Sequence, residues 1–235
     1  MFCVLKIMLY DVRPGRGPRP ECLHEWLMAL ATFTILVSSV IALHQDNLKA
    51  RLAYSTVSQL SYIVLGASLG SALGILGGGL HVVMHATGKI TLFFCAGAIY
   101  VAVGKTKVSQ LDGLGRKMPV TMACFAVGAL SIIGLPPLGG AWSKWYLGLA
   151  TLESAWPWLV AVLMVSSLLN VAYLMPIPIR AFFLPQRGGP PDRGIQEAPL
   201  PCLIAMVITA GLSLLLFFAP ELALELPRLA LGDSL

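Results

Sequence analysis

The sequence predicts an all-α integral membrane protein, and three observations carry that prediction. Of its 235 residues, 57% are hydrophobic and 11% charged, with a mean hydropathy of +0.81; a soluble domain carries about 25% charged residues. The apolar residues fall in runs long enough to cross about 30 Å of hydrocarbon, separated by proline, glycine and basic clusters. The ionisable residues inside those runs are lysines and histidines at helical spacing, not random intrusions. The net charge of +5 resides mainly in loops and tails. That points to membrane orientation and anionic head groups, and no aromatic-basic interleaving suggests a nucleic-acid partner.

Three regions follow in order. Residues 1–24 form a basic, Pro/Gly-rich segment. It opens on a ten-residue apolar run, too short to span, and continues as DVRPGRGPRPE, which proline and glycine keep from being helical. Without a small-residue cleavage site it does not read as a signal peptide, and it is expected to be a surface-bound loop or a remnant. Residues 25–220 form the transmembrane domain, and 221–235 an amphipathic tail.

Within the domain the expected spans are 26–43, 52–69, 80–103, 119–133, a broken one over 134–153, then 156–183 and 200–218. That makes about seven transmembrane helices. The second span is unusually polar, with Tyr54, Ser55, Thr56, Ser58, Gln59, Ser61 and Tyr62, so it belongs inside the bundle, where hydroxyl groups glue helices together. Ser58, Gln59 and Asn170 read as such glue. Residues 70–79 read as a glycine-rich turn, and 104–118 as the main extramembrane loop. In GLPPLGGAWSKWYLG (134–148), Gly134, Pro136, Pro137, Gly139 and Gly140 break the helix, which is expected to resume at about 147. Lys144 follows the break. Irregular backbone at membrane depth survives only within protein or beside a water-filled cavity, and broken helices beside ionisable groups are a transporter device.

His81, His85 and Lys89 are spaced i, i+4, i+8. At about 100° per residue they share an arc of roughly 80° and a stripe about 12 Å long. Lys89 lies near the middle of its span, where a charge costs about 2.5 kcal/mol or more and faces an interior, a water path or a partner. The stripe reads as part of a proton path; the plainer reading makes the histidines core groups bonded to hydroxyls of the second span. Lys49 and Lys144, near helix ends, could equally snorkel. Histidines at i, i+4 on one helix cannot hold opposite faces of one haem. The five cysteines (Cys3, Cys22, Cys95, Cys124, Cys202) have no metal-ligand spacing and read as small core residues. No nucleotide motif occurs, and no cofactor or metal site is expected. An odd span count puts the termini on opposite faces, and the basic residues then lean toward a cytoplasmic N-terminus.

Four ordered motifs carry a resemblance: QDNLKARLAYSTVSQLSYIVLG (45–66), HATGKITLFFCAGAIY (85–100), LDGLGRKMP (111–119) and GLPPLGGAWSKW (134–145). They resemble the antiporter-like membrane subunits, the family of Mrp-type sodium/proton antiporters and of the proton-pumping subunits of NADH:quinone oxidoreductase and membrane hydrogenases, and look most like an Mrp D-type subunit. The resemblance implies about fourteen helices built on two inverted five-helix repeats, of which this chain would hold the second, at about 52–183. It further implies that Lys49 joins two half-channels, that Lys144 is the ionisable group of the second, and that His81, His85 and Lys89 feed it. The first repeat's buried glutamate and broken-helix lysine have no counterpart here, so an acid that switches these lysines would come from another chain.

The implied function is proton translocation, or sodium/proton exchange, within a multisubunit complex of a bacterial inner (plasma) membrane. Other membrane subunits would be the partners, including a separate chain for the missing half. The chain itself shows no catalytic site and is at most the transport subunit of a redox-driven enzyme. A non-conducting scaffold and a truncated relic are the alternative expectations.

Overall fold

The structure, a computed structural model, describes residues 21–185 and 194–231. Residues 1–20, which hold most of the expected N-terminal segment, lie outside the described residues. The elements are α1 (Glu21–His44), α2 (Leu48–Ser68), α3 (Ala72–Val103), two short 3₁₀ turns (Val108–Gln110 and Leu114–Arg116), α4 (Pro119–Ile133), α5 (Gly140–Leu152), α6 (Leu159–Leu174), α7 (Pro176–Phe183), α8 (Leu200–Phe218) and α9 (Glu221–Leu231). The architecture is all-α, as expected. Four stretches are long and apolar enough to cross a membrane: His24–His44, Ala72–Val103, Leu159–Phe183 and Leu200–Phe218. α2 falls outside that set because of its hydroxyl and amide side chains, and α4 because it is short.

Local sequence sets the helix ends. The Asn47 side chain accepts from Ala50 N at 3.1 Å to cap α2, and Ser71 accepts from Gly74 N at 3.0 Å to cap α3. Gly104 and Gly134, at φ +66° and +87°, close α3 and α4 in the left-handed region. Pro119, Pro176 and Pro201 stand in the first turns of α4, α7 and α8, where their missing N–H costs nothing. Pro176 also separates α7 from α6 within the expected 156–183 span.

Three expectations are corrected. α1 starts at Glu21, so residues 21–24 belong to it. The turn expected over 70–79 is confined to Gly70, at φ +63°, and α3 runs unbroken for 32 residues. The glycines inside it permit close approach, not breakage. A Cβ on Gly74 would strike the Gly66 carbonyl, one on Gly77 would meet Leu147, and one on Gly79 would meet Pro227 of α9. With little water to compete for its backbone, a glycine-rich helix persists in an apolar bundle and packs through its notches. The broken helix resumes at Gly140, not near 147. Gly139 N donates to Ser213 O at 3.0 Å and Trp142 Nε1 to Phe217 O at 2.9 Å. α8 thus supplies acceptors that let α5 begin early.

Contacts between residues fix the depth of each element. Ser55 meets Lys89, and the Gly66 and Gly74 backbones touch, so α2 and α3 are antiparallel. Ile132, at the end of α4, packs on Gly88 at mid-α3, whereas Leu147 of α5 packs on Gly66 and Gly77. α4 and α5 therefore run in one direction as the halves of one crossing. α6–α7 returns, with Arg180 donating to the buried Asp112 carboxylate at 2.8 and 3.1 Å. Arg180 thus stands on the same face as the 104–118 loop, and α1 begins on the face where α8 ends. The stretches 119–133 and 134–153, counted from sequence as two spans, thus form one crossing.

The loop face is stitched by polar contacts. Leu48 N donates to Thr106 O at 2.8 Å and Val108 N to Asp46 O at 2.7 Å. Asp46 accepts from Ser109 N and Oγ at 3.0 and 2.8 Å. Glu197 accepts from Val120 N at 2.7 Å and Thr121 Oγ1 at 2.6 Å, placing a carboxylate at the α4 N-terminus.

The tight glycine contact and the capped loop carboxylate can each be tested. A Cβ on Gly66 would lie 2.7 Å from both Gly74 O and Leu147 Cδ2. Gly66→Ala should therefore cost about 1–3 kcal/mol in overpacking, read as a lower unfolding temperature in detergent, whereas Gly97→Ala, into open space, should be close to neutral. The bonds from Ser109, its backbone N–H foremost, hold Asp46 below its ordinary value of 3.8. A lowered carboxylate stabilises above its unfolded pKa and loses that contribution as pH falls through the folded value. Hydrogen exchange of the Ser109 amide should stay protected as pH falls to 3.8, open only below it, and be unprotected at all pH in Asp46→Ala.

Candidate functional site

The interior of the bundle is polar along one line. On α3, His81, His85 and Lys89 are 3%, 6% and 5% exposed. The face of α2 opposite them carries Ser55, Gln59 and Tyr62. The Lys89 ammonium donates to Ser55 Oγ at 2.8 Å and to Leu52 O at 3.0 Å. The His81 ring stacks on Tyr62 at 5.5 Å and on His85 at 5.7 Å between centroids, and His81 Nδ1 bonds Ser143 Oγ at 2.9 Å. Ser55 is level with Lys89 and Tyr62 with His81, so Gln59, midway between them on α2, is level with His85.

Lys144 closes the row from α5. It is half-buried, and its ammonium donates to Ile133 O at 2.8 Å and Ser167 Oγ at 3.0 Å. The same nitrogen lies 5.4 Å from the Tyr62 ring centroid, within cation–π range. Ile133 is the last residue of α4, whose terminal carbonyls have no intrahelical donor. The break at Gly134 thus presents the negative end of a half-helix dipole to the lysine. Pro136 and Pro137 form the turn, with a cis bond between them, and Gly139 and Gly140 start α5. A Cβ on Gly140 would collide with the Ser131 carbonyl and one on Gly134 with the Lys144 side chain, so both positions must be glycine for the break to close around the lysine.

Four of the five expected pathway residues therefore come together: His81, His85, Lys89 and Lys144. Lys49 does not. It is exposed in the first turn of α2, its ammonium 5.0 Å over the Tyr100 ring at the loop face. Beside it, Arg51 reaches inward and donates to Gln45 O at 2.8 Å, Tyr173 O at 2.9 Å and Leu43 O at 3.4 Å. It caps the carboxyl ends of α1 and α6 together.

Sequence reasoning placed Ser55 and Tyr62 inside the bundle without assigning them to the row, and it missed Ser143 and Ser167, which bond His81 and Lys144, and Tyr173, which bonds Ser55. Ser58 is interhelical glue as expected, bonding Ser39 Oγ at 2.8 Å and Ile35 O at 3.1 Å. Gln59 and Asn170 are not simply glue. Both amide atoms of Gln59, together with Asn170 Nδ2, His81 Nε2 and His85 Nδ1, are buried with no hydrogen-bond partner in the chain. Buried polar atoms are satisfied almost without exception in proteins, and these four on the facing sides of α2 and α3, with Asn170 Nδ2 on α6, suit water as the bridging partner. The signal was present: Ser55, Gln59 and Tyr62 recur at i, i+4, i+7, the same face period as the histidine–lysine stripe.

Chemically, the arrangement can bind and pass protons. Lys89, His81 and Lys144 each bond a serine hydroxyl, which both donates and accepts, and the described residues hold no cluster of histidine, cysteine and acidic groups suited to a metal.

A lysine–histidine row beside a half-helix break defines a class, the membrane bundles with ionisable groups at a discontinuous helix. The family described as NADH:quinone oxidoreductase/Mrp antiporter, transmembrane, matches residues 17–170, and the chain belongs to that family. It is 44% identical over 191 residues to NADH-quinone oxidoreductase subunit N of Desulforudis audaxviator, covering 80% of this chain and 38% of that one. It is 30% identical over 202 residues to the D-type subunit of the Na(+)/H(+) antiporter of Alkalihalophilus pseudofirmus, covering 86% and 41%. Among solved structures, a chain of the membrane-bound sulfane sulfur reductase, an archaeal respiratory membrane complex, superposes with a TM-score of 0.79 at 28% identity, covering 88% and 41%. A chain of the Mrp complex from Dietzia sp. shares the fold, with a TM-score of 0.81 at 24% identity, covering 89% and 47%. This chain spans less than half the length of each of these relatives. The relatives serve both respiratory and antiporter assemblies, which accords with the resemblance its motifs carry.

Proposed function

We propose that the chain is a proton-translocating subunit of a multisubunit membrane complex, antiporter or respiratory in type, in a bacterial plasma membrane. The observation that carries this reading is the continuous interior row Lys89–His85–His81–Lys144. An ammonium can give up a proton and an imidazole can both take one up and release one. Three of them one turn apart on α3 and the fourth facing them from α5, such groups with their serine partners let protons hop across the hydrophobic layer. Sodium is the second candidate ion, as the exchange partner of the proton.

Lys49 belongs to this reading as the group that passes protons between this bundle and a neighbouring one, from the loop-side rim where it now stands. The remaining length of the relatives, with any acid that modulates these lysines, would join the assembly in the same or another polypeptide. Orientation follows from charge. Among the described residues, Lys49, Arg51, Lys105, Lys107, Arg116, Lys117 and Arg180 stand at the loop face, while Glu25, Glu153, Glu221 and Glu225 stand at the other. By the excess of basic residues on the cytoplasmic side, the loop face is cytoplasmic in this reading and the starts of α1 and α9 lie outside, the reverse of the cytoplasmic N-terminus that the sequence count leaned toward.

The test is ion flux through the assembled complex, purified through this chain and reconstituted in vesicles. Lys89→Ala and Lys144→Ala should each lower proton flux at least tenfold while the subunit composition of the complex is unchanged. Unchanged flux in both variants would overturn the reading and leave a scaffold that conducts nothing.

A further inference from the structure

The histidines are not the only polar link between the two lysines. α6 carries Ser167, Asn170 and Tyr173 at i, i+3, i+6. Ser167 Oγ accepts from Lys144 at 3.0 Å. At the other end, the Tyr173 hydroxyl bonds Ser55 Oγ at 2.8 Å, and Ser55 Oγ accepts from Lys89 at 2.8 Å. The same phenol bonds Asn170 Oδ1. Asn170 Nδ2 has no partner in the chain and lies within one helical turn of Ser167. Read in order, Lys89, Ser55, Tyr173 and Asn170 form a hydrogen-bonded line that α6 continues to Ser167 and Lys144, with one unbonded step between Asn170 Nδ2 and Ser167.

The proton inventory gives this line a direction. Tyr173 has one hydroxyl proton and bonds two oxygens. Asn170 Oδ1 can only accept, so when Tyr173 donates to it, the Ser55 hydroxyl supplies the proton of the Ser55–Tyr173 bond. Ser55 in turn accepts from Lys89. Every bond between Lys89 and Asn170 then points away from the Lys89 ammonium; at the other end Lys144 donates into Ser167, a bond that turns round when Lys144 is neutral and accepts. Turning the Asn170 amide over presents Nδ2 to the phenol and reverses the order. Arg51 fixes the tyrosine from outside: it donates to the Tyr173 carbonyl at 2.9 Å and holds the end of α6 against α2.

We propose that Ser55, Tyr173 and Asn170 form a second, histidine-free route for protons between Lys89 and Lys144, with Arg51 positioning Tyr173. The inference rests on the proton-translocating reading above. The two routes share both lysines and the serines that bond them, Ser55 and Ser167, and differ in the groups between. The histidine route runs through imidazoles on α3, and the α6 route through neutral hydroxyl and amide groups that relay a proton without holding a charge. A bundle with both keeps its lysines connected when one route is interrupted.

The experiment compares vesicles bearing the assembled complex, matched for subunit content. The wild type is set against His81→Phe/His85→Phe, Tyr173→Phe/Asn170→Leu, the four substitutions combined, and Lys89→Ala. Tyr173→Phe alone keeps the ring and its packing, and serves if the leucine impairs assembly. Each two-site variant should retain measurable flux, within about tenfold of wild type, and the combination should fall to the Lys89→Ala level. Arg51→Gln should lower flux in the histidine-substituted complex and have no further effect once Tyr173 is phenylalanine, with Arg51→Lys restoring part of the loss. If the histidine variant alone falls to the Lys89→Ala level, or if cutting the α6 line has no effect in the histidine-substituted background, the second route does not exist. If Lys89→Ala itself conducts normally, the underlying reading fails instead, so the two failures are distinguishable.

Discussion

The arrangement depends on keeping an ammonium group in the middle of an apolar helix. Lys89 is 5% exposed, and at that depth an unsatisfied charge costs several kcal/mol. The cost is offset by α2, which gives up the Leu52 carbonyl and the Ser55 hydroxyl to it. That requirement explains why α2 is the least apolar of the crossing helices. It also explains why α2 and α3 are drawn together at their far end, where Gly66 and Gly74 bring backbone against backbone. The hydroxyls of α2 and the glycines of α3 are two halves of one packing solution. One face must be polar to hold the lysine, and the other must be nearly flat to let the polar face reach it.

Much of this was legible in the sequence because the signals are local. The i, i+4, i+8 spacing of His81, His85 and Lys89 survives folding because one helix carries all three. The break over Gly134–Gly140 is written in proline and glycine. What was hidden depends on which helices meet. Tyr173 and Asn170 look like packing residues until α6 is laid beside α2, and Arg51 looks like a loop charge until its guanidinium is found on the carboxyl ends of α1 and α6. The run 70–79 was misjudged for a different reason. Glycine reads as a breaker where water competes for the backbone, whereas here the same residues provide the close contacts with Gly66, Leu147 and Pro227.

The charge of the molecule divides the same way. Basic side chains at the loop face have their nearby acids already engaged: Asp46 by Ser109, Asp112 by Arg180 and Glu197 by the first turn of α4. The lysines at that rim therefore keep their charge for the head-group layer, while the interior row carries cationic groups with no acid among the described residues beside it. Two kinds of positive charge thus coexist, one set that orients the bundle and another that can exchange protons.

The break between α4 and α5 is anchored from one side. Gly139 and Trp142 are tied to α8 through Ser213 and Phe217, and Gly140 fits against the Ser131 carbonyl with no room for a methyl group. What remains free to rearrange is the Lys144 side chain, on its four methylenes, between the Ile133 carbonyl and the Ser167 hydroxyl. The discontinuity is then a socket instead of a hinge. The moving part of such a device is a single side chain that reorients in nanoseconds or less, so its turnover would be set by proton availability and neighbouring charge and not by the swing of a helix.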